Sequence, residues 1–421
     1  MKMFIEILLI VIVANPILTF ESSELDDPDY NRTVTELIES RGFNYETHYI
    51  VTDDSYILTV YRLVNPFVNP QERSKLKPII LQHGFMGSAV DFIINAPGGD
   101  AIPCQPSDSI LMSNLNDTIT NNLGYLLANL CYDVWLSNSR GNRYSRNHTT
   151  LNPDEDKEYW NFSFDEMIFH DSPAIIDYVL AETGFDSLGW IGHSQGTLIM
   201  FGLLAEKPGY SLKVKPFIAL APVCYVNDIM LSARLASRVP GVLWALRQIG
   251  NELSDDNFIL KTVEQISCGR WEPKVCENLL YPLLGYNVEL LNKTRMAVYR
   301  SQGYSGSSVW NLVHFGQNIV TGDFVRFDYG TAENKIKYGG PKPPKYTLTQ
   351  INSTQIAIIY SKSDTLGDYK DVTHLTETLK VPLLRDYFIP LPSWNHLDFI
   401  YANELYRYVH SQILDILKSS Y

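Results

Sequence analysis

Five short apolar runs recur along the chain, and each is followed by a loop rich in glycine or polar residues. Apolar side chains at consecutive positions are typical of strands buried on both faces, and intervening stretches such as 164–183 have a helical pattern. Strands that alternate with helices predict a mainly parallel α/β sheet with helices on both faces. The runs are 78–81, 134–136, 188–191, 215–223 and 355–360.

Two segments interrupt this alternation. Residues 93–123 are rich in Pro, Gly, Asn and Asp, which predicts an elaborated loop. Residues 224–350 separate two predicted strands by far more than an ordinary connection and include helical patterns, aromatic residues and a proline-rich exit. We therefore predict a core in two parts, 24–223 and 351–421, with 224–350 inserted as a cap over the active face.

The segment Gly192-His193-Ser194-Gln195-Gly196 lies where a predicted strand runs into a predicted helix. At such a sharp turn a larger side chain at either glycine would clash, and the serine hydroxyl is exposed at the carboxyl end of the strand. The helix N-terminus also favours developing negative charge. The pattern predicts a nucleophilic Ser194, although a purely structural tight turn would have the same five letters.

A serine hydroxyl needs a base to become a nucleophile, and hydrolases with this strand–turn–helix motif place an acid and then a histidine after the serine. His374 and His410 lie in helical patterns, whereas His396 lies in a loop after the strand-like 386–391. We predict His396 as the base, because ligands and catalytic groups of such sheets lie in loops at the carboxyl ends of strands.

The acid and the oxyanion donors follow from the same reasoning. Asp364 is the carboxylate nearest the end of the last apolar run, with Asp368 as the alternative. It would hold the imidazole tautomer and stabilise the imidazolium. A tetrahedral oxyanion needs backbone N–H donors, which we expect from Gln195, after the nucleophile, and from Phe85, in the loop 83–88.

The N-terminus predicts entry into the secretory pathway. Lys2 is followed by a mostly apolar run over 4–14, typical of a signal peptide that we assign to 1–20. A membrane anchor is the alternative, but the run is shorter than the ~20 residues of a spanning helix. Six Asn-x-Ser/Thr sequons predict glycosylation and favour secretion, with a lysosomal location as the alternative. They are Asn31, Asn116, Asn147, Asn161, Asn292 and Asn352.

Composition narrows the possible partners. The 421 residues are 45% hydrophobic and 19% charged, as in a globular protein, and the formal net charge of −13 argues against nucleic acid binding. No Cys or His cluster has zinc spacing, so we expect neither a metal nor a cofactor. Five cysteines leave at least one thiol free in an oxidising compartment. A Cys104–Cys131 bridge would leave Cys224, after an apolar strand, as a buried small hydrophobe.

With these residues the chain resembles the acid lipase family of gastric and lysosomal acid lipases. The matching pieces include "LQHGFMGS", "YDVWLSNSRGN", "YWNFSFDEM", "GHSQGT" and "NHLDFI", and the likeness runs from about residue 25 to about residue 415. The resemblance implies an α/β-hydrolase fold, a cap with a mobile lid, and hydrolysis of neutral lipid esters. It implies the same nucleophile, acid, base and oxyanion donors.

The cap is the part that matches least well. The family's cap disulfide resembles Cys268–Cys276, whose eight-residue spacing permits a small loop, and we expect the lid within 252–286. The resulting hypothesis is a monomeric lipase that acts on triacylglycerol-like lipids at a lipid–water interface, without a transmembrane segment once the leader is removed. The alternatives are a sterol or wax esterase with the same triad, and a non-catalytic lipid carrier.

Overall fold

A nine-stranded mixed sheet forms the centre of the protein. The computed structural model describes residues 27–104, 121–249, 251–254, 285, 287 and 289–420. The strand order is β1-β2-β4-β3-β6-β7-β10-β11, with the short β5 beside β2. β1, β2 and β5 pair antiparallel with their neighbours, whereas the ladder from β4 to β11 is parallel throughout, which confirms the predicted mainly parallel sheet. The strands of this sheet are β1 Asn44–Val51, β2 Tyr56–Val64, β3 Pro78–Gln82, β4 Asp133–Leu136, β5 Asn147–His148, β6 Leu188–His193, β7 Val214–Leu220, β10 Ile356–Tyr360 and β11 Arg385–Phe388. Two further strands, β8 Glu252–Leu253 and β9 Ser307–Ser308, pair antiparallel as a separate small sheet.

Helices cover both faces of the sheet. The α-helices are α1 Val34–Ser40, α2 Pro70–Arg73, α3 Leu123–Asn129, α4 Phe164–Glu166, α5 Ser172–Thr183, α6 Gln195–Glu206, α7 Leu231–Ser237, α8 Val242–Ile249, α9 Met296–Gly303, α10 Val309–Thr321, α11 Thr331–Tyr338, α12 Tyr369–Thr378, α13 Asp398–Tyr401 and α14 Ser411–Ser420. Short 3₁₀ turns span Pro28–Asn31, Ala89–Phe92, Lys157–Trp160, Pro208–Leu212, Lys293–Arg295 and Leu348–Gln350. Wide π-turns join α4 to α5 at Met167–Asp171 and precede α14 at Tyr406–His410.

The apolar runs are buried on both sides because successive strand residues point to opposite faces. Ile79 and Leu81 of β3 join a core cluster on one face, together with Trp394. Ile80, between them, joins the cluster on the other face, which includes Trp190. The sheet is therefore enclosed by two cores, and its loops carry the polar groups.

Local signals in the sequence are visible in the first elements. α1 begins at a capping box in which Thr33 accepts from Glu36 N–H and the Glu36 carboxylate accepts from Thr33 N–H. Gly42, with φ of +75°, follows the end of this helix in the left-handed conformation common after helix C-termini. β1 and β2 then pair as an antiparallel hairpin, with Asp53 and Asp54 in its turn.

An insertion between β7 and β10 contains the helices α7 to α11 and a third, small core cluster. Met86 of the loop after β3 joins this cluster with Leu246, Val313 and Phe327 of the insertion, so that the insertion packs directly on the active face. α8 and the other helices of the insertion agree with the helical patterns expected within 224–350. The predicted lid at 252–286 lies outside the described residues except for 252–254 and 285.

Cysteine pairing agrees with one of the two expected bridges. Cys104 and Cys131 form a disulfide with a Cα–Cα distance of 5.2 Å, and Cys224 is buried with a free thiol. This confirms both expectations for those three residues. Cys268, Cys276, Asn116 and the leader 1–20 lie outside the described residues. No described helix is long and apolar enough to cross a membrane.

Candidate active site

Ser194 lies at the tip of a strained turn between β6 and α6. Its φ of 53° and ψ of −117° are outside the regions that a non-glycine residue ordinarily adopts. A Cβ on Gly192 would lie 2.5 Å from the carbonyl oxygen of Gly196, and a Cβ on Gly196 would lie 2.5 Å from that of Gln82. Both glycines are therefore required by close backbone approach, as the motif predicts.

The structure brings together the three side chains that the sequence singles out. His396 Nε2 lies 2.8 Å from Ser194 Oγ, and His396 Nδ1 lies 2.9 Å and 3.0 Å from the two carboxylate oxygens of Asp364. All three side chains are buried. This arrangement lets Nδ1–H donate to the carboxylate while Nε2 accepts the serine proton, the tautomer that activates a serine hydroxyl.

Asp364 is held as an anion although it is buried. Burial opposes its ionisation, but the neighbouring His396 and two backbone N–H donors outweigh this and lower the pKa of Asp364 below its ordinary value. The backbone donors are Leu366 N at 2.9 Å and Gly367 N at 2.7 Å, both on Oδ1. Charged acceptors of this kind make the stronger class of hydrogen bond.

The alternative acid and bases lie elsewhere. Asp368 caps the N-terminus of α12 by accepting from Lys370 N–H at 2.8 Å. His374 lies within that helix, with its ring 4.3 Å from the ring of Tyr225. His410 is buried in the π-turn before α14.

Two further residues fix the loop of His396, and the sequence analysis did not identify them. Asn395 Oδ1 accepts from Thr365 N at 3.1 Å and from His396 N at 2.8 Å, which joins the loops of the acid and the base. Asp398 accepts from Asn395 N at 2.7 Å, and burial raises its pKa to about 7. The available signal is their position within two residues of His396.

His193 and His83, which belong to the "GHSQGT" and "LQHGFMGS" motifs, are buried and form hydrogen bonds to backbone carbonyls near the site. His193 Nε2–H donates to the carbonyl oxygen of His396 at 3.1 Å, and His83 Nδ1–H donates to that of Gly84 at 2.7 Å. Burial lowers the pKa of His193 to about 3 and that of His83 to about 4. Both imidazoles are therefore neutral at physiological pH and act as hydrogen-bonding groups.

Two backbone segments lie beside Ser194. Gln195 is the first residue of α6, so its N–H has no partner within the helix. The loop 84–87 approaches from the other side, where a Cβ on Gly84 would lie 3.0 Å from the Cβ of Ser194. The sequence-predicted donors Phe85 and Gln195 thus belong to two segments that meet at the nucleophile.

A largely apolar cavity of about 220 Å³ opens above Ser194 and His396. Core and insertion both contribute to its walls. A carboxyl group, that of Asp91, also faces it, and burial raises the pKa of this group to about 7. Among the described apolar residues that line the cavity are Val223, Val226, Ile229, Leu246, Leu312 and Ile319.

One group of described side chains has metal-ligand chemistry, well separated in sequence from the triad. Ligand atoms of Asp53, Asp54 and His170 lie within 4.8 Å of one another. Asp54, however, already accepts two hydrogen bonds from the buried Arg140, at 2.6 Å and 2.9 Å. The cluster is therefore accounted for by internal ion pairing, and we assign no metal to it.

Comparison with known proteins agrees with the geometry. A family model described as a partial alpha/beta-hydrolase lipase region matches residues 34–96, and the alpha/beta hydrolase fold model matches residues 77–244. The chain is 34% identical to gastric triacylglycerol lipase of Bos taurus over 393 residues, which cover 93% of this chain and 92% of that protein.

Two other relatives span the chain to a similar extent. Lipase member K of Mus musculus is 30% identical over 416 residues, 97% of each chain. Lipase lipl-3 of Caenorhabditis elegans is 32% identical over 407 residues, 94% of each chain. Because identity at this level covers nearly the whole length of these proteins, the chain belongs to the lipases of the α/β-hydrolase fold, and its class of reaction is carboxylic ester hydrolysis.

Proposed function

We propose that this protein hydrolyses neutral lipid esters such as triacylglycerols, with Ser194 as nucleophile, His396 as general base and acid, and Asp364 as the carboxylate that orients His396. The observation that carries the proposal is the continuous hydrogen-bonded series from Ser194 Oγ through His396 to Asp364. It lies at the base of an apolar cavity that suits an acyl chain.

In the first half of the reaction Ser194 Oγ attacks the ester carbonyl while His396 Nε2 takes its proton. The resulting imidazolium faces the Asp364 carboxylate, whose depressed pKa keeps it charged. His396 then donates the proton to the alkoxide that leaves, which produces the free alcohol and an acyl-serine. In the second half His396 takes a proton from a water molecule as the water oxygen attacks the acyl carbon. The bond to Ser194 Oγ then breaks, His396 returns the proton to Oγ, and the fatty acid leaves.

The tetrahedral intermediates place a negative charge on the former carbonyl oxygen. In our proposal the backbone N–H groups of Phe85 and Gln195 donate to this oxygen. Their two segments meet at Ser194, and Gln195 lies at the positive end of the α6 helix dipole. Donors fixed before the reaction stabilise the charge without reorganisation, which is why this contribution is usually large.

The substrate class is supported by the surface around the cavity as well as by its lining. Leu231, Leu235 and Trp244, on the inserted helices α7 and α8, are exposed to 61%, 60% and 68%. Met230, which precedes Leu231, and Leu243, which precedes Trp244, both line the cavity. Exposed large apolar side chains next in sequence to residues that line an apolar cavity suit contact with a lipid surface.

A secreted or lysosomal location agrees with the disulfide and the sequons. Cys104–Cys131 requires an oxidising compartment. Of the described sequons, four asparagines are exposed and Asn292 is partly exposed, so oligosaccharides can be attached without disturbing the core. The exposed four are Asn31, Asn147, Asn161 and Asn352.

The test compares purified wild type with the variants Ser194→Ala, His396→Ala and His374→Ala. The substrates are triolein, cholesteryl oleate and a wax ester, and active serine is measured by labelling with a fluorophosphonate. We expect loss of the nucleophile to lower kcat on the order of 10⁶-fold and loss of the base to be nearly as severe. His374→Ala is the matched control and should retain activity, because its ring contacts Tyr225 on a helix rather than the serine.

Two results would contradict the proposal. Hydrolysis by Ser194→Ala within tenfold of wild type would remove Ser194 as nucleophile. A wild-type protein that neither reacts with the fluorophosphonate nor hydrolyses any of the three lipids would be a carrier rather than an enzyme.

A further inference from the structure

The inserted region contacts both sides of the proposed oxyanion hole through one short segment, 305–311. On one side Ser305 N–H donates to the carbonyl oxygen of Met86, the residue after Phe85, at 2.7 Å. On the other side Asn311 Nδ2 donates to Gln195 Oε1 at 2.8 Å. A single stretch of the insertion thus bonds to the loop of Phe85 and to the side chain of Gln195 at the start of α6.

The contact on the Phe85 side holds a strained turn. Met86 has φ of +60°, a conformation that few non-glycine residues adopt and that persists only where neighbouring groups fix it. Gly87 N–H closes the turn from within by donating to Gly84 O at 3.1 Å. Ser305 supplies the contact from outside, and it fixes the carbonyl of the residue that immediately follows Phe85.

The contact on the Gln195 side fixes a buried side chain. Gln195 is 1% exposed, and its Nε2 donates to Met167 Sδ at 3.3 Å. A thioether sulfur is a weak acceptor, so the bond from Asn311 is the stronger of the two. Gln195 begins α6, and a shift of its side chain would turn the same residue's backbone N–H.

Asn311 is itself firmly anchored. It is fully buried, and its amide also donates to Ser307 Oγ at 3.1 Å. Its backbone N–H donates at 3.0 Å to Ser308 Oγ, the N-cap of α10. A displacement of the inserted helix α10 would therefore move the Asn311 amide and, through its hydrogen bond, the side chain of Gln195.

We propose that Asn311 is a positioning residue for the oxyanion hole, and that the segment 305–311 sets the spacing of the two backbone donors from the inserted region. This inference rests on the proposed ester hydrolysis and on Phe85 and Gln195 as donors. Such donors act through preorganisation, so a displaced donor weakens binding of the transition state more than binding of the substrate. Asn311 does not contact the substrate and acts only through Gln195.

The test compares Asn311→Ala with Asn318→Ala on a soluble short-chain ester. Asn318 is the matched control because it is a buried asparagine of the same helix whose Oδ1 accepts from Val325 N–H, at 3.4 Å, within the insertion. We expect Asn311→Ala to lower kcat about 10- to 100-fold with KM within about twofold, somewhat less than removal of a whole donor. Asn318→Ala should change kcat less than about threefold at a similar loss of thermal stability.

Two further measurements separate positioning from general damage. A trifluoromethyl ketone forms a tetrahedral oxyanion adduct with the serine, and its affinity should fall by the same factor as kcat in Asn311→Ala. If Asn311 acts through Gln195, combining Asn311→Ala with Gln195→Ala should lower kcat no further than the larger single effect. Asn311→Leu serves if the alanine variant does not fold, because leucine fills a similar volume without an amide donor, and it should lower kcat to a similar extent.

The outcomes that would overturn the inference are distinct from failure of the proposed function. Equal losses of kcat in Asn311→Ala and Asn318→Ala, a change confined to KM, multiplying effects in the double variant, or an Asn311→Leu variant with wild-type kcat would each exclude the positioning role. In all of these cases the wild type would still hydrolyse esters. A wild type without any hydrolysis would instead refute the proposed function.

Discussion

The buried carboxyl of Asp91 leads to a quantitative prediction about stability and pH. The residue lies at the cavity beside the loop 84–88, and its Oδ1 is buried without a hydrogen-bond partner among the described residues. Burial raises its pKa from 3.8 to about 7, against a smaller opposing effect of the Ser88 backbone N–H. Tyr144 is a titratable neighbour, and a negative charge on Asp91 would contribute to raising the pKa of its hydroxyl. Asp91 is therefore a neutral acid at pH 5 in the folded protein.

The sign of the effect follows from proton linkage. Between 3.8 and 7 the folded state holds the Asp91 proton while the unfolded state has released it, so stability falls as pH rises through this window. From pH 5 to the folded-state pKa is about two units, each equivalent to about 1.4 kcal/mol. The carboxyl should therefore cost the wild type about 2–3 kcal/mol of unfolding free energy between pH 5 and pH 8.

The substitution Asp91→Asn removes the ionisation and keeps the shape. Urea unfolding at pH 5 and pH 8 should show that the stability of the variant relative to wild type rises by about 2–3 kcal/mol between the two pH values. Asp186→Asn, at an exposed position, controls for loss of one negative charge. A difference between Asp91→Asn and wild type that does not change with pH would refute the reasoning. So would a variant that is several kcal/mol less stable at pH 5, because the carboxyl would then already be acting as an anion.

Three other predictions concern the turn, the disulfide and the surface. Gly196→Ala should cost about 1–3 kcal/mol in urea unfolding and lower kcat, because its Cβ would meet the carbonyl oxygen of a β3 residue. Gly209→Ala, where no atom lies within 4 Å, is the control, and equal effects would contradict the steric argument. Cys104→Ser should lower the unfolding free energy by about 2–4 kcal/mol, and peptide mapping without reduction should recover the bridged pair from the wild type. Trp244→Ser should weaken binding to triolein emulsions without changing turnover of a soluble ester. Ile336→Ser, on another inserted helix and more exposed than Trp244 (86% against 68%), should leave binding unchanged, and a loss of binding in both variants would argue against a specific surface.

The features that sequence predicts well are those encoded within a few residues. A continuous apolar run predicts a strand enclosed by two cores, as β3 and β6 are. The glycine pair around Ser194 predicts a strained turn because the steric requirement is local. His396 and Asp364 could be placed because the fold puts both residues in loops at the carboxyl ends of strands.

The features that sequence does not predict depend on contacts between distant segments. Asn311 meets Gln195 across 116 positions, and nothing near either residue indicates the pair. Arg140 is buried between Asp54 and Asp171, which only the folded chain brings together. Asp91 resembles any loop carboxylate in sequence, and its raised pKa arises from burial. Local patterns thus indicate the proposed reacting groups, whereas the residues that hold them in place are found only in the folded structure.

The π-turn at Met167–Asp171 imposes a requirement of length on the helix that contains it. Such a turn accommodates one residue more than a regular α-helix, and removing that residue would rotate one side of the helix by about 100° relative to the other. At present Met167 faces Gln195 while Asp171 bonds to Arg140 through both of its carboxylate oxygens. If one residue were deleted and the segment became a regular α-helix, it could keep the contact with Gln195 or the bonds to Arg140, but not both. The backbone irregularity therefore fixes the spacing of this segment, so that its residue count is constrained more tightly than the identity of its exposed side chains.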